Sequence, residues 1–196
     1  IAFRNLGHEA YSCDVQPCSG GHPEWHLQQD VLPLLKEKWD LLIAHPPCTY
    51  LTNTGNAWFY NPKTKLEPHP KYPNRRKDQK EAADFFMEFV NSPVDKIAIE
   101  NPIGYMSRYY KKPSQIIRPF QYGHDANKAT CLWLKGLPNL IPTNIVPVTK
   151  TQTSTGKKYD QWYWDTSKYS GAERTKIRSK TFEGIAKAMA EQWGSL

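Results

Sequence analysis

The sequence predicts an α/β fold built on a mostly parallel sheet. Three observations carry this. Residues 39–100 read as strand, long connection, helix, strand, a β-α-β unit whose strands should be parallel with a right-handed crossover. The run Trp39-Asp-Leu-Leu-Ile-Ala44 is almost continuously apolar, as suits a strand covered on both faces. Residues 78–90 and 181–194 carry apolar stripes at helical spacing.

In chain order, residues 1–7 resemble the end of a helix stopped by Gly7. Residues 9–14 read as a short strand ending at Asp14, and 15–26, rich in Pro and Gly, as a loop. Residues 30–38 read as a short helical stretch with Asp30 as N-cap, and 39–44 as the buried strand. Residues 49–77 form a long connection of aromatics, prolines and basic side chains; connections of that length are often functional. In the helix 78–90, Ala82, Phe85, Phe86, Phe89 and Val90 share one face. A strand at 95–99 leads directly into Glu100-Asn101-Pro102, and a further strand is expected at 130–136. Residues 137–160 read as loop with short strands. The last helix carries Phe182, Ile185, Ala186, Met189, Ala190 and Trp193 on one stripe, with Thr181 as its candidate N-cap.

The 196 residues suffice for one domain with a core. No apolar run approaches the ~20 residues needed to span a bilayer. Four cysteines are too few for a disulfide scaffold at this length, which suggests a reducing, cytosol-like compartment. The net charge of +7 favours a polyanionic partner; no feature singles out a protein partner. Cys13, Cys18, His22 and His26 have zinc-binding chemistry but not the spacing of a usual finger, so no metal is assigned. Arg75, Arg76 and Lys77, with Lys71 and Lys80 and near Trp58, Phe59, Tyr60 and Tyr72, suit contact with phosphates and stacking on bases; a solvated helix entrance is the competing reading.

Parallel strands end at one edge of a sheet. The first strand of the β-α-β unit leads into Pro46-Pro47-Cys48 and the second into Glu100, so thiol and carboxyl are expected at one rim, where open α/β sheets bind ligands. Asp14 ends another strand and should reach the same side. A thiol beside a carboxyl suits covalent catalysis: the thiolate adds to an electrophilic carbon and the carboxyl supplies a proton or hydrogen bond. A buried, inert cysteine is the alternative for Cys48.

The ordered pair "PPC" (46–48) and "ENP" (100–102), within the longer text from "HPPCTYLT" through "IAIENPIGYM" to "ATCLWLKGLP", resembles the DNA cytosine-5 methyltransferases, and most closely their compact, often phage-encoded members. The resemblance spans about residues 7–193. It implies a Rossmann-like domain of the class I methyltransferase type over residues 1–196, with 138–178 as a reduced recognition region and 181–194 as a helix packed on the domain. It implies that Cys48 attacks C6 of cytosine, that Glu100 holds the ring's N3 and N4 edge, and that C5 receives a methyl group from S-adenosylmethionine. Pro46 and Pro47 would fix the loop that presents the thiol, and Asn101 and Pro102 would shape the pocket. Asp14 would take the cofactor's ribose hydroxyls and Asp30 its adenine amine; a turn or a helix cap is the alternative for each. DNA would be the partner, in the cytoplasm of a bacterial or phage-infected cell.

Three departures qualify this. The family's first strand and glycine-rich cofactor loop would precede Ile1, so the chain either continues upstream or leaves a gap in the sheet. The family's Gln-x-Arg-x-Arg element is absent; "NKATC" stands in its place, offering Lys128, or more weakly Thr130, to the base's O2 side. The short 138–178 region suits low specificity or a simpler substrate. Two rivals therefore stand beside the main reading: an enzyme of the same fold acting on a free pyrimidine nucleotide, and a non-catalytic DNA-binding relative.

Overall fold

In the computed structural model, which describes residues 1–196, the chain folds as two units. The first comprises Tyr11–Ile116 and Thr130–Asn139, the second Ile1–Ala10, Ile117–Ala129 and Leu140–Leu196.

The first unit begins with β1 (Ser12–Asp14) and β2 (His26–Gln28), paired in parallel with Asp14 opposite Gln28. The sequence shows β1 but hides β2, because three residues carry no period and β2 exists only through its partner. Next come β3 (Leu42–Ala44), α1 (Arg75–Val90), β4 (Ile97–Pro102), α2 (Met106–Tyr109), β5 (Gln115–Ile117, whose last residue falls in the second unit) and β6 (Thr130–Lys135). The four-stranded sheet has the order β3-β4-β6-β5, and β1–β2 is a separate two-stranded sheet. β3 and β4 are parallel, from Leu42 opposite Ile97 to Ala44 opposite Ile99, as the β-α-β reading requires. β4 and β6 are antiparallel. The sheet is thus mixed, and a mostly parallel sheet is not seen. Glu100, Asn101 and Pro102, expected just beyond a strand, are its last three residues.

Helix α1 starts three residues earlier than its apolar stripe suggests, with Asn74 at the cap position. Arg75, Gln79, Ala83, Phe86 and Phe89 are its buried residues, and it packs on β4. The Phe86 ring meets Trp133 edge-on at 5.2 Å. Burying each such phenylalanine contributes about 1.5–3 kcal/mol. Leu51, Ile97, Ile99, Met106 and Cys131 complete this core. Two expectations change here. Residues 30–38 form only a 3₁₀ turn at Leu34–Lys36, with Pro33 at its N-cap position and extended backbone at Glu37 ending it, and Asp30 closes a local turn rather than capping a helix. The 49–77 connection contains a 3₁₀ helix, Asn53–Phe59, whose Thr52 hydroxyl accepts from Gly55 N at 3.3 Å.

The second unit holds a 3₁₀ turn at Arg4–Leu6 stopped by Gly7 at φ +88°, where a Cβ would be strained. It also holds an antiparallel hairpin of β7 (Lys150–Gln152) and β8 (Lys158–Asp160), then α3 (Gln161–Thr166), α4 (Gly171–Ser179) and α5 (Glu183–Trp193). Arg174, Lys176, Arg178 and Lys180 suit either a phosphate patch or a soluble linker to the last helix, and the first three lie on α4. In the structure Ser170 caps this helix, its hydroxyl accepting from Glu173 N at 3.3 Å. Helix α5 buries Ile185, Ala188, Met189, Ala190 and Trp193. Phe182 rather than Thr181 holds its cap position, and the Phe182 ring lies 5.2 Å from His124 and 5.5 Å from Trp162.

Candidate active site

The first unit brings the carboxyl ends of β3 and β4 together. Ala44 is the last residue of β3 and pairs with Ile99, so Glu100 is one step past the end of that register. His45, Pro46, Pro47 and Cys48 follow Ala44 outside any helix or strand, and the two prolines restrict this stretch. Pro46 is buried, and Pro47 and Cys48 are exposed.

Two hydrogen bonds cross between these strand ends in opposite directions. The buried Asn101 amide donates from Nδ2 to the Pro46 carbonyl at 2.9 Å. His45 Nδ1 lies 3.2 Å from Glu100 Oε2. Each partner is 55 residues from the other in sequence. The Glu100 side chain is 22% exposed and that of His45 is 45% exposed, so the pair stands at the surface of the rim. Asn101 Oδ1 is buried without a hydrogen-bond partner.

The chain after Cys48 is held carbonyl by carbonyl. Arg75 Nη2 donates to Thr49 O at 3.3 Å, Gln79 Nε2 to Tyr50 O at 3.1 Å, and the backbone N–H of Tyr105 to Leu51 O at 2.7 Å. Gly104 lies against this segment through a bridge to Thr52, and a Cβ on it would overlap the Leu51 carbonyl.

This overturns one expected phosphate contact. Arg75 is buried, its guanidinium 5.2 Å from the Tyr50 ring centroid and 5.3 Å from that of Phe59. It braces the loop and does not present its charge at the surface. Arg76 stacks on Phe59 at 4.0 Å and pairs with Glu67, whose carboxyl is lowered by the Arg76 hydrogen bond. Lys77 is exposed, 3.7 Å from Glu81. Trp58, His69 and Tyr72 form a cluster with ring centroids 5.2–5.6 Å apart, and Trp58 and Tyr72 are exposed.

Cys131 contrasts with Cys48. It is fully buried on β6 opposite Asn101, and burial, with the Glu100 charge adding to it, pushes its thiol up to about 11. Thr130, also buried, pairs with Pro102. Lys128 belongs to the second unit, where its ammonium donates to the Arg178 carbonyl at 2.8 Å.

Asp14 and Asp30 lie at the carboxyl ends of the parallel β1–β2 pair, Asp14 closing β1 and Asp30 two residues past β2. Both are exposed, and both raise the Cys13 thiol, whose main cause of shift is burial. One oxygen of each accepts from the backbone N–H two residues on, Gln16 and Leu32, at 2.9 Å. These are local turns of the kind Asp favours. Of the zinc-type residues, Cys13 donates to Gln29 O, His22 stacks on Trp25 at 4.0 Å, and His26 bonds Ser12 and Gln16. They form no group of three or more metal-binding side chains.

A cavity of about 150 Å³ between Val90, Ile97, Ile99 and Trp133 contains none of the rim groups. No helix is long and apolar enough to cross a membrane. Sequence reasoning missed His45. Its signal was available: a titratable residue at a strand's end, three positions before the cysteine. No protein-family model matches the chain, and no curated protein matches it.

Proposed function

We propose that the chain is a cytosine-5 methyltransferase acting on DNA, with Cys48 as nucleophile and Glu100 as the acid that activates the ring. One observation carries the reading: an exposed thiol and a partly exposed carboxyl extend from the same ends of two adjacent parallel strands, joined by the Asn101–Pro46 hydrogen bond. The fold attributed to it is the Rossmann-like methyltransferase type, supported by the parallel β3–β4 crossover.

The chemistry follows from the two groups. The Cys48 sulfur pair forms a bond to C6 of the pyrimidine. The C5–C6 π pair moves into the ring, and N3 takes a proton from Glu100. C5 becomes nucleophilic. C5 then takes up an electrophile, which in exchange is a solvent proton; collapse follows as C5 loses its original hydrogen as a proton, N3 gives back the proton it took, the C5–C6 double bond re-forms, and the sulfur leaves with its electron pair. In a duplex the base must first leave the stack, which costs a few kcal/mol. For S-adenosylmethionine, the exposed carboxylates of Asp14 and Asp30 fit as acceptors for hydroxyl and amine hydrogens. Bound there, the cofactor would supply an electrophilic methyl group.

The test separates addition from methylation. Addition alone lets the C5 hydrogen of cytosine exchange with solvent, so release of tritium from 5-tritiated cytosine needs no methyl donor. Exchange in a DNA oligonucleotide that disappears in Cys48→Ser, together with transfer of label from S-adenosylmethionine, is the expected result. Exchange only with free dCMP moves the substrate to a nucleotide. Neither exchange nor transfer sinks the reading.

A further inference from the structure

The His45–Glu100 pair has no role in the chemistry described so far. Its geometry gives it one. A carboxyl acts as a ring acid only if one oxygen is aimed at the ring nitrogen, and a glutamate side chain has three torsions to fix. A small misplacement of a reacting group can cost on the order of 10²-fold in rate. His45 Nδ1 is 3.2 Å from Oε2, and the imidazole belongs to the segment that carries the nucleophile. His45 follows the last residue of β3 directly, and Pro46 and Pro47 remove most of the backbone freedom between it and Cys48. Pro46 is pinned from the other side by Asn101. The strand end that presents the thiol is therefore the one that orients the acid.

Resting on the reading above, we infer that His45 is a positioning residue: its Nδ1–H donates to Glu100 Oε2, and the other carboxyl oxygen is the one turned to N3 of the pyrimidine. The proton given to N3 comes from the Glu100 carboxyl, and the bond from Nδ1–H then stabilises the carboxylate that remains. When C6–S breaks and C5 has lost its proton, N3 returns the proton to that carboxylate. No redox partner is needed. The Cys131 thiol on β6 also feels the Glu100 charge, which helps to keep it protonated. A thiol is neutral or anionic, so Cys131 supplies no competing cation.

Asparagine at position 45 can offer an amide N–H near the place of Nδ1, whereas alanine offers nothing. The full chain is compared with His45→Ala and His45→Asn, using 5-tritiated cytosine in an oligonucleotide and melting temperature as the check on folding. The expected result is a 10- to 100-fold fall in kcat for exchange in His45→Ala with KM little changed, and recovery of most of that loss in His45→Asn. In parallel, the His45 nitrogen resonance in NMR should move on Glu100→Gln. Equal rates in parent and His45→Ala, equal losses in both variants, or an unmoved resonance overturn the inference alone. A parent chain without exchange overturns it together with the reading it rests on.

Discussion

The first unit contains two parallel strand pairs, β1–β2 and β3–β4, and each carries acidic groups at or near its carboxyl ends. They are fixed in opposite ways. At β1–β2, Asp14 and Asp30 bond backbone N–H groups two residues away and stay exposed. At β3–β4, the side-chain contacts that fix the end span long stretches of sequence: Asn101 to Pro46, His45 to Glu100, Arg75 and Gln79 to the chain after Cys48. A local turn survives without tertiary structure, whereas a cross-strand clasp exists only in the folded sheet. At the β3–β4 end the buried contacts should therefore be intolerant of substitution in stability and the exposed groups in chemistry, and the β1–β2 end should be intolerant only in what it binds.

The largest effect is expected at the reacting groups. Cys48→Ser should reduce C5-hydrogen exchange to background, and Glu100→Gln should lower it by about 10²–10⁴-fold, the usual contribution of a positioned acid. Neither should move the melting temperature much, because both side chains are at least partly exposed. A large loss of stability in Cys48→Ser would blur the comparison.

Asn101→Ala comes next. It removes the buried donor to the Pro46 carbonyl. Leaving a buried acceptor unmatched costs about 1–3 kcal/mol, and each kcal/mol lowers Tm by roughly 2–4 °C in a chain of this size. Scanning calorimetry would read this, and exchange should slow in step. Gly104→Ala should cost about as much, 1–3 kcal/mol by overpacking, since its Cβ would overlap the Leu51 carbonyl.

Thiol chemistry offers a smaller readout. Cys48 should be alkylated readily at pH 8, while Cys131, buried and with its thiol pushed up to about 11, should stay unmodified until the chain unfolds. Peptide mass spectrometry of partly alkylated protein distinguishes them. The smallest effect on stability belongs to the β1–β2 end. Asp14→Asn and Asp30→Asn should each change stability by no more than about 0.5 kcal/mol, as exposed substitutions usually do, and leave exchange intact while weakening methyl-donor binding. Exchange lost in these variants would abolish the distinction between the two ends.

The rim was legible in the sequence because its logic is topological. Once 39–44, 78–90 and 95–99 read as strand, helix and strand, parallel pairing at one edge follows, and the β3–β4 register agrees. Elements made by their neighbours were not legible. β2 and β5 are three residues each and carry no period, and α4 is polar on all sides. Arg75 shows the same limit at a single side chain. In the sequence it is one cation in a basic run. Only the fold reveals the Tyr50 and Phe59 rings beside it and the Thr49 carbonyl it serves. His45 was visible at a strand's end, but its contact with Glu100 was not, since that partner lies on another strand.

The three consecutive carbonyls of Thr49, Tyr50 and Leu51, each gripped by a different residue, bear on motion. A segment fastened at three successive carbonyls resists swinging as a lid, and it ties the stretch after Cys48 to α1 and to the turn at Tyr105. Any closure over a ligand must pivot farther along, past Thr52, where the aromatic stretch from Trp58 to Tyr72 begins. The nucleophile would stay still while the cover moves.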